Sequence, residues 1–356
     1  MYSWHPPQRV RAARPTRPIL LQMLALLTLL AASASFAEPD PIDRLAADIQ
    51  AGHHADILGM VMLRGGEPVV DVGSRKLKAK GLDIRSATKS VTALLVGIAI
   101  DAGQLEGVDV PIHRWLPGYA ESFASAPAKR TITIEDLLTM RSGLDCNDWD
   151  RASPGHEDTM YRQRDWVGFW LGQKLLEQPG QTFRYCTGNV IALGRILANA
   201  TGQPVDRYAA ERLFEPLKIE RARWERWNRG RDTDTGGHLR LHPRDLARIG
   251  QLLVDRGAAS GRKVVSEAWL DAMTREHVAI PRQAQRYGYL WWLDATTRAD
   301  LPATRLQMAW GNGGNYLIVL PELGTVIAFA GKRYQQPNQL EPLAWLGQRI
   351  LPALAP

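Results

Sequence analysis

Ser86-Ala87-Thr88-Lys89 sets a hydroxyl and an amine three residues apart at the head of a run, Ser86 to Ala102. Within that run the apolar residues Val91, Leu94, Leu95, Ile98, Ala99 and Ala102 recur at helical spacing. On a helix this puts both side chains on one face, one turn apart. A serine hydroxyl is a weak nucleophile until a base takes its proton, and a lysine one turn away can do so if burial or a neighbouring cation displaces its own proton. The pair points to a serine hydrolase. A second match, Ser260-Gly261-Arg262-Lys263, lies in a glycine-flanked turn with no helix behind it to hold the two side chains together.

Two other segments carry chemistry-bearing residues. In Phe183-Arg184-Tyr185-Cys186-Thr187-Gly188-Asn189, between Pro179-Gly180 and an apolar helical run, Tyr185 stands where a loop can project it into a cleft. A phenol beside a lysine ammonium loses its proton more easily than at its usual pKa of about 10. Alone, Tyr185 reads better as a packed ring with a solvated hydroxyl; the neighbouring segments favour the catalytic reading. Trp310-Gly311-Asn312-Gly313-Gly314-Asn315 joins two strand-like runs, and glycines are costly in strands unless backbone must approach something closely. Free N–H groups there could stabilise an oxyanion; a plain hairpin turn is the other reading.

The elements that must position these residues are legible at coarse scale. Asp40 to Gly52 reads as an amphipathic helix, followed by a hairpin of Ile57 to Leu63 and Val69 to Val72. Helices are expected at Ile134 to Met140 (capped by Thr133), Asp165 to Leu176, Val190 to Thr201, Val205 to Leu213, Pro243 to Asp255 and Ser266 to Thr274. Strands return at Gly288 to Leu293, Arg305 to Trp310, Tyr316 to Leu320 and Thr325 to Ala330, before a closing helix from Leu340 to Ile350. Strands at both ends bracket a helical middle. This predicts an α+β fold: an antiparallel sheet flanked by terminal helices, with a helical lobe (86–240) inserted between sheet segments (38–85 and 241–356) and a cleft between them.

The first acidic residue is Glu38; Arg9, Arg11, Arg14 and Arg17, an apolar run Ile19 to Ala32 and small residues ending Ser35-Phe36-Ala37 precede it. This is the order of a secretory signal, with cleavage expected after Ala37 and a periplasmic or extracellular product. An uncleaved anchor is less consistent with a run interrupted by Gln22 and Thr28, short for a bilayer core of about 30 Å. No cysteine near the cleavage point offers a lipid anchor. Removing the four leader arginines from 44 basic side chains leaves 40 against 37 acidic ones, so the formal charge falls from +7 to about +3. A balance so close to neutral gives no basis for a nucleic-acid partner.

Cys146 and Cys186 read either as two buried thiols or as one disulfide. The bridge is favoured because export meets oxidising conditions and both lie beside segments expected to converge. His238 and His242 have the spacing of a helical metal pair, but Gly236-Gly237 and Pro243 argue against a helix there, so no metal and no cofactor is expected. Trp149 and Trp310, adjacent to the site segments, are candidates for an apolar substrate pocket, with Thr187 beside them.

Taken in order, these blocks resemble the serine β-lactamase and penicillin-recognising superfamily, in its class C-like branch of esterases, D-aminopeptidases, carboxypeptidases and 6-aminohexanoate-dimer-type hydrolases. The resemblance runs from the hairpin and Ser86-x-x-Lys89 through the block Thr133 to Leu144 and Tyr185-x-Thr187. It continues through Gly236-Gly237-His238-Leu239, Arg244 to Arg248 and Tyr287 to Trp292, and ends at Gly313-Gly314-Asn315-Tyr316. It implies a β-lactamase/transpeptidase-like fold and two-step acyl transfer: Ser86 attacks a carbonyl, Lys89 and Tyr185 share the base role, and the N–H of Ser86 with one from Gly313 or Gly314, beside Asn312, forms the oxyanion hole. Two departures stand out. Thr187 replaces the usual asparagine or serine, and the usual Lys or His before the third-motif glycine is missing. That cation sits near a substrate carboxylate in β-lactamases and carboxypeptidases, so hydrolysis of a small-molecule ester or amide is the better expectation. Peptidoglycan D-alanyl carboxypeptidase or β-lactamase activity, and a non-catalytic penicillin-binding or sensor domain, are the alternatives.

Overall fold

The computed structural model describes residues 40–355 except 55, 78, 80 and 297–302. The expected signal segment, 1–37, lies outside the described residues. From Pro41 onward the chain forms one compact unit.

Helix α1 (Pro41–Ala51) buries Ile42, Leu45, Ala46 and Ile49, the stripe its spacing predicts. It leads into the hairpin β1 (Ile57–Arg64) and β2 (Glu67–Gly73). A two-residue strand β3 (Leu82–Asp83) then delivers the chain to α2 (Ala87–Asp101), which starts directly after Ser86. The helical middle holds α3 (Ile134–Leu138), α4 (Glu157–Met160), α5 (Trp166–Leu171) and α6 (Thr187–Thr201). Thr133 caps α3 in a reciprocal capping box with Asp136. Short strands β4 (Arg223–Trp224) and β5 (Leu239–Leu241) pair with each other, and β5 pairs with β3.

Helices α7 (Pro243–Val254) and α8 (Glu267–Met273) precede the rest of the main sheet: β6 (Val278–Ala279), β7 (Arg286–Tyr287), β8 (Trp292–Thr296), β9 (Thr304–Gly311), β10 (Asn315–Leu320) and β11 (Thr325–Gly331). The eight strands run antiparallel in the order β6-β7-β8-β9-β10-β11-β1-β2, so the N-terminal hairpin completes a sheet built by the C-terminal meander. Every residue of β10 and β11 is buried, as expected for strands covered on both faces. On one face α7 presses Gly250 onto Leu317, Val319 and Val326; on the other, the closing helix α9 (Glu341–Trp345) sets Trp345 on Phe329.

Three expected elements differ. The helix expected over 165–176 ends at Leu171, because the buried ammonium of Lys129 takes the carbonyls of Leu171 (2.6 Å) and Gln173 (2.7 Å) and Leu175 then bridges to Leu144. The strand expected over 288–293 is a reversal from 288 to 291 between β7 and β8. There Gly288 lies so close to the Met273 carbonyl that a Cβ would sit 2.2 Å from it, and Leu290 takes a positive φ of 57°. The closing helix runs on through a π-helical turn, Leu346–Ile350, to Leu354. Among the described residues no helix is long and apolar enough to cross a membrane.

Candidate active site

Ser86 occupies the N-cap of α2, yet its backbone is helical (φ −64°, ψ −13°) and its side chain makes no capping bond. The hydroxyl is therefore not spent on the helix and is free for chemistry. The preceding Arg85 has a φ of 53°, and the Asp83 carboxylate, which accepts from its N–H at 2.8 Å, holds it there. Ile84 N–H donates to the Leu239 carbonyl (2.9 Å), so pairing with β5 fixes the turn that presents the serine.

One turn on, Lys89 is 1% exposed, and its Nζ donates to Ser86 Oγ at 3.1 Å and to the Gly236 carbonyl at 2.6 Å. Tyr185, from the loop before α6, is also buried. The Lys89 ammonium lies 5.3 Å from its ring centroid, and its hydroxyl is hydrogen-bonded by Ser86. The three residues expected to meet do meet. Of the second Ser-x-x-Lys, Arg262 and Lys263 lie in an exposed two-stranded hairpin.

The electrostatics correct two expectations, that the Lys89 proton is displaced and that the Tyr185 phenol ionises more easily than usual. Burial by itself pulls the Lys89 ammonium down, but the nearby Tyr185, Glu157, Asp148 and Asp234 outweigh it and hold the lysine above its ordinary value. Burial pushes the Tyr185 phenol up, and the opposing pull of Lys89 and the Ser86 hydrogen bond does not cancel it. The resting pair is thus ammonium and neutral phenol. Among the described residues the charges that act most on Lys89, those of Tyr185, Glu157, Asp148 and Asp234, retain its proton and do not displace it.

Those carboxylates were not singled out in the sequence. Asp148 N–H donates to the Tyr185 carbonyl (2.7 Å), while its carboxylate accepts from Thr187 N–H (2.6 Å) and Glu157 N–H (2.9 Å). Burial and the adjacent Glu157 push Asp148 up to about 6. Thr187, expected at the pocket wall, is instead fully buried, and its hydroxyl donates to Glu157 at 2.6 Å. Only the position of Asp148, two residues after Cys146, could have hinted at it. Cys146 and Cys186 form a disulfide with Cα atoms 5.5 Å apart, tying these two segments together.

Trp149 is 49% exposed and stacks on Tyr185; Trp292 lies 6.2 Å from Trp149 and 5.1 Å from Trp310. The two tryptophans expected near the substrate thus flank one aromatic wall beside the phenol.

The third motif departs from expectation. Gly313 N–H donates to Gln339 Oε1 (3.1 Å), and a Cβ at Gly313 would meet the Tyr334 ring; one at Gly314 would meet Ile57. Asn312 is committed as well, its Oδ1 accepting from Gln335 N–H (2.9 Å) and its carbonyl from Asn315 Nδ2 (2.9 Å). Gly311 is the residue against the serine turn: a Cβ there would lie 1.9 Å from the Ile84 carbonyl and 3.2 Å from Ala87 N. β8 pairs with β9 only as far as Met308, so Trp310 and Gly311 extend past it. His238 and His242 share no helix: β5 separates them. His238 Nδ1 pairs with Asp234 (2.6 Å), whose hydrogen bond raises the imidazole, and His242 caps α7.

Comparison with known proteins agrees with this geometry. A family model described as Beta-lactamase matches residues 42–346. The chain is 26% identical over 238 residues to the 6-aminohexanoate-dimer hydrolase of Paenarthrobacter ureafaciens, a match covering 61% of this chain and 59% of that protein. It therefore spans less than two thirds of that curated relative's length. Among solved structures it is similar to EstCE1, a hydrolase with promiscuous acyltransferase activity (TM-score 0.68, 16% identity, covering 88% of this chain and 98% of that one). It is also similar to a D-stereospecific amidohydrolase from Streptomyces sp. (TM-score 0.61, 18% identity, covering 85% and 98%). At these identities the structures speak to the fold, an α+β β-lactamase-like one. The family match, running from α1 into the closing helical segment and taking in Ser86, Lys89 and Tyr185, is decisive: the chain belongs to the Beta-lactamase family.

Proposed function

We propose that the protein is an exported serine hydrolase that cleaves an ester or amide bond of a small molecule through an acyl-enzyme on Ser86. The observation carrying this reading is the single hydroxyl, unspent on capping, within hydrogen-bond reach of both Lys89 Nζ and the Tyr185 phenol. Catalysis starts from the minority state in which the Lys89–Tyr185 pair has lost one proton. In that state Lys89 keeps the charge that steadies a Tyr185 phenolate, which takes the Ser86 proton as Oγ attacks the carbonyl carbon. The N–H groups of Ser86 and Gly311 are assigned to the oxyanion. Collapse breaks the bond to the leaving alkoxide or amine, which receives the proton back from Tyr185. Water then attacks the acyl carbon, Tyr185 taking its proton; collapse breaks the bond from that carbon to Ser86 Oγ, Tyr185 returns the proton to Oγ, and the carboxylic acid leaves.

The segment Met308 to Asn312 holds no Lys or His beside the serine, which disfavours a β-lactamase or D-alanyl carboxypeptidase, where a substrate carboxylate needs a cation. The name of the Paenarthrobacter relative is in keeping with an amide of a linear amino acid as one substrate class. A disulfide beside the site suits an oxidising compartment. Treatment with a fluorophosphonate and with labelled penicillin, followed by intact mass, tests the reading. Labelling lost in Ser86→Ala together with turnover of p-nitrophenyl esters supports it. A stable penicilloyl adduct without turnover supports a penicillin-binding or sensor role, and no serine labelling removes the hydrolase reading.

A further inference from the structure

We infer that Asp148 is a positioning residue for the acyl-transfer site: it clamps the backbone on both sides of Cys186, fixing the Tyr185 phenol against Ser86 and Lys89. The inference rests on the hydrolase reading above. Its first support is the hydrogen-bond pattern, in which one residue donates to the Tyr185 carbonyl and accepts from Thr187 N–H. Tyr185 cannot swing without breaking one of these bonds or straining the Cys146–Cys186 bridge two residues back. The second is the neighbouring Trp149, which lies flat on the Tyr185 ring, so the same short segment fixes the phenol's backbone and its face. The third is the first turn of α6: Thr187 N–H is one of the unpaired donors of a helix start, and a carboxylate there satisfies it and suits the helix dipole.

The charges around this group come from several elements. Lys89 faces it from α2, Glu157 and Tyr161 from α4 and the residue after it, Tyr185 from its own loop, and Asp234 reaches Lys89 from before β5. Asp148 and Glu157 both raise the Lys89 and Tyr185 proton affinities, so removing either charge moves the rising limb of the rate profile toward acid. Of these two carboxylates only Asp148 bonds the backbone beside Tyr185, on the side opposite the Met140 carbonyl and sulfur that take the N–H groups of Arg184 (2.9 Å) and Cys186 (3.5 Å), whereas Glu157 takes the Thr187 hydroxyl. The two roles therefore separate.

The test measures kcat/KM for a p-nitrophenyl ester across pH in the full chain, normalised to sites titrated with a fluorophosphonate. Asp148→Ala, which removes the acceptor for Thr187 N–H, is expected to shift the limb toward acid and to lower the high-pH plateau by about tenfold or more, with KM within about twofold. Glu157→Gln is expected to give the acid shift with a plateau within about threefold of wild type. Should Asp148→Ala not accumulate, Thr187→Pro removes the clamped N–H at a first helical position that tolerates proline, after an extended Cys186, and is expected to lower the plateau likewise. A plateau within about threefold of wild type in the folded clamp variant overturns the inference. Absence of turnover and labelling in wild type instead overturns the hydrolase reading and takes this inference with it.

Discussion

The indole of Trp149 lies parallel to the Tyr185 ring, centroids 5.5 Å apart and planes 4° from parallel, although Trp149 itself is 49% exposed. An exposed tryptophan covering a buried phenol shields that phenol from water and leaves its own outer face open. A stacked pair contributes about 0.5–1.5 kcal/mol beyond area burial. Trp149→Ala is expected to cost about 1 kcal/mol of stability and to lower kcat/KM by roughly threefold to tenfold. If the indole also forms the acyl wall with Trp310, the loss grows with acyl length across p-nitrophenyl esters; a constant loss would limit Trp149 to holding Tyr185.

Lys89→Ala removes the donor to Ser86 Oγ and the charge that steadies the phenol. General-base contributions are typically 10²- to 10⁴-fold, and the acylation rate is expected to fall in that range while KM changes little. Single-turnover acylation measured beside KM checks it; equal losses in both would place Lys89 in binding.

The pH dependence follows from the sign of two shifts. Lys89 and Tyr185 are both held above their ordinary values of about 10, and the reactive state lacks one of their protons. Rate should therefore climb with pH from neutral into the alkaline range and not level off near pH 7. The same raised Lys89 makes a contribution to stability that is complete below its unfolded value, about 10.4, and is lost as pH rises through its folded value. Thermal scans beside rate profiles would reveal both, and a rate plateau at neutral pH would contradict the assignment.

The reach of the sequence had a physical limit. Ser86 and Lys89 were legible because one helix carries both and its period is local, and Tyr185 because punctuation by Pro179-Gly180 and a following helix marked its loop. The sheet was legible for the same reason: β10 and β11 are uninterrupted apolar runs. Asp148, Glu157 and Gly236 are different. Each acts on a distant segment, Asp148 on the backbone of Tyr185 and Thr187, Glu157 on the Thr187 hydroxyl and Gly236 through its carbonyl on Lys89, and no spacing records such a contact. The third motif was legible only as a run of glycines, because three glycines look alike in sequence. Only the crossing of β9 over the serine turn separates Gly311 from Gly313, whose N–H is held by Gln339.

That separation can be measured. A Cβ at Gly311 would stand 1.9 Å from the Ile84 carbonyl, so Gly311→Ala must displace either β9 or the turn bearing Ser86. Loss of an oxyanion donor costs about 10²- to 10³-fold in kcat, and a loss of that size is expected. Gly313→Ala meets the Tyr334 ring at 2.7 Å from a φ of +94°, and is expected to lower stability by about 1–3 kcal/mol while leaving the rate within a few-fold. The reverse ranking in kcat would return the oxyanion role to Gly313.

The disulfide joins the Asp148 segment to the Tyr185 segment across a sequence separation of 40 residues, and both sulfurs are buried. In the chain-entropy picture, closing a loop of that length removes about 4 kcal/mol of freedom from the unfolded state. Replacing both cysteines by alanine is therefore expected to lower Tm by roughly 10 °C. The effect on rate should be smaller in proportion, because Asp148 still bonds Tyr185 and Thr187 once the bridge is gone. A variant with native Tm but a collapsed kcat would mean the opposite: that the bridge holds the phenol in place and the hydrogen bonds merely accompany it.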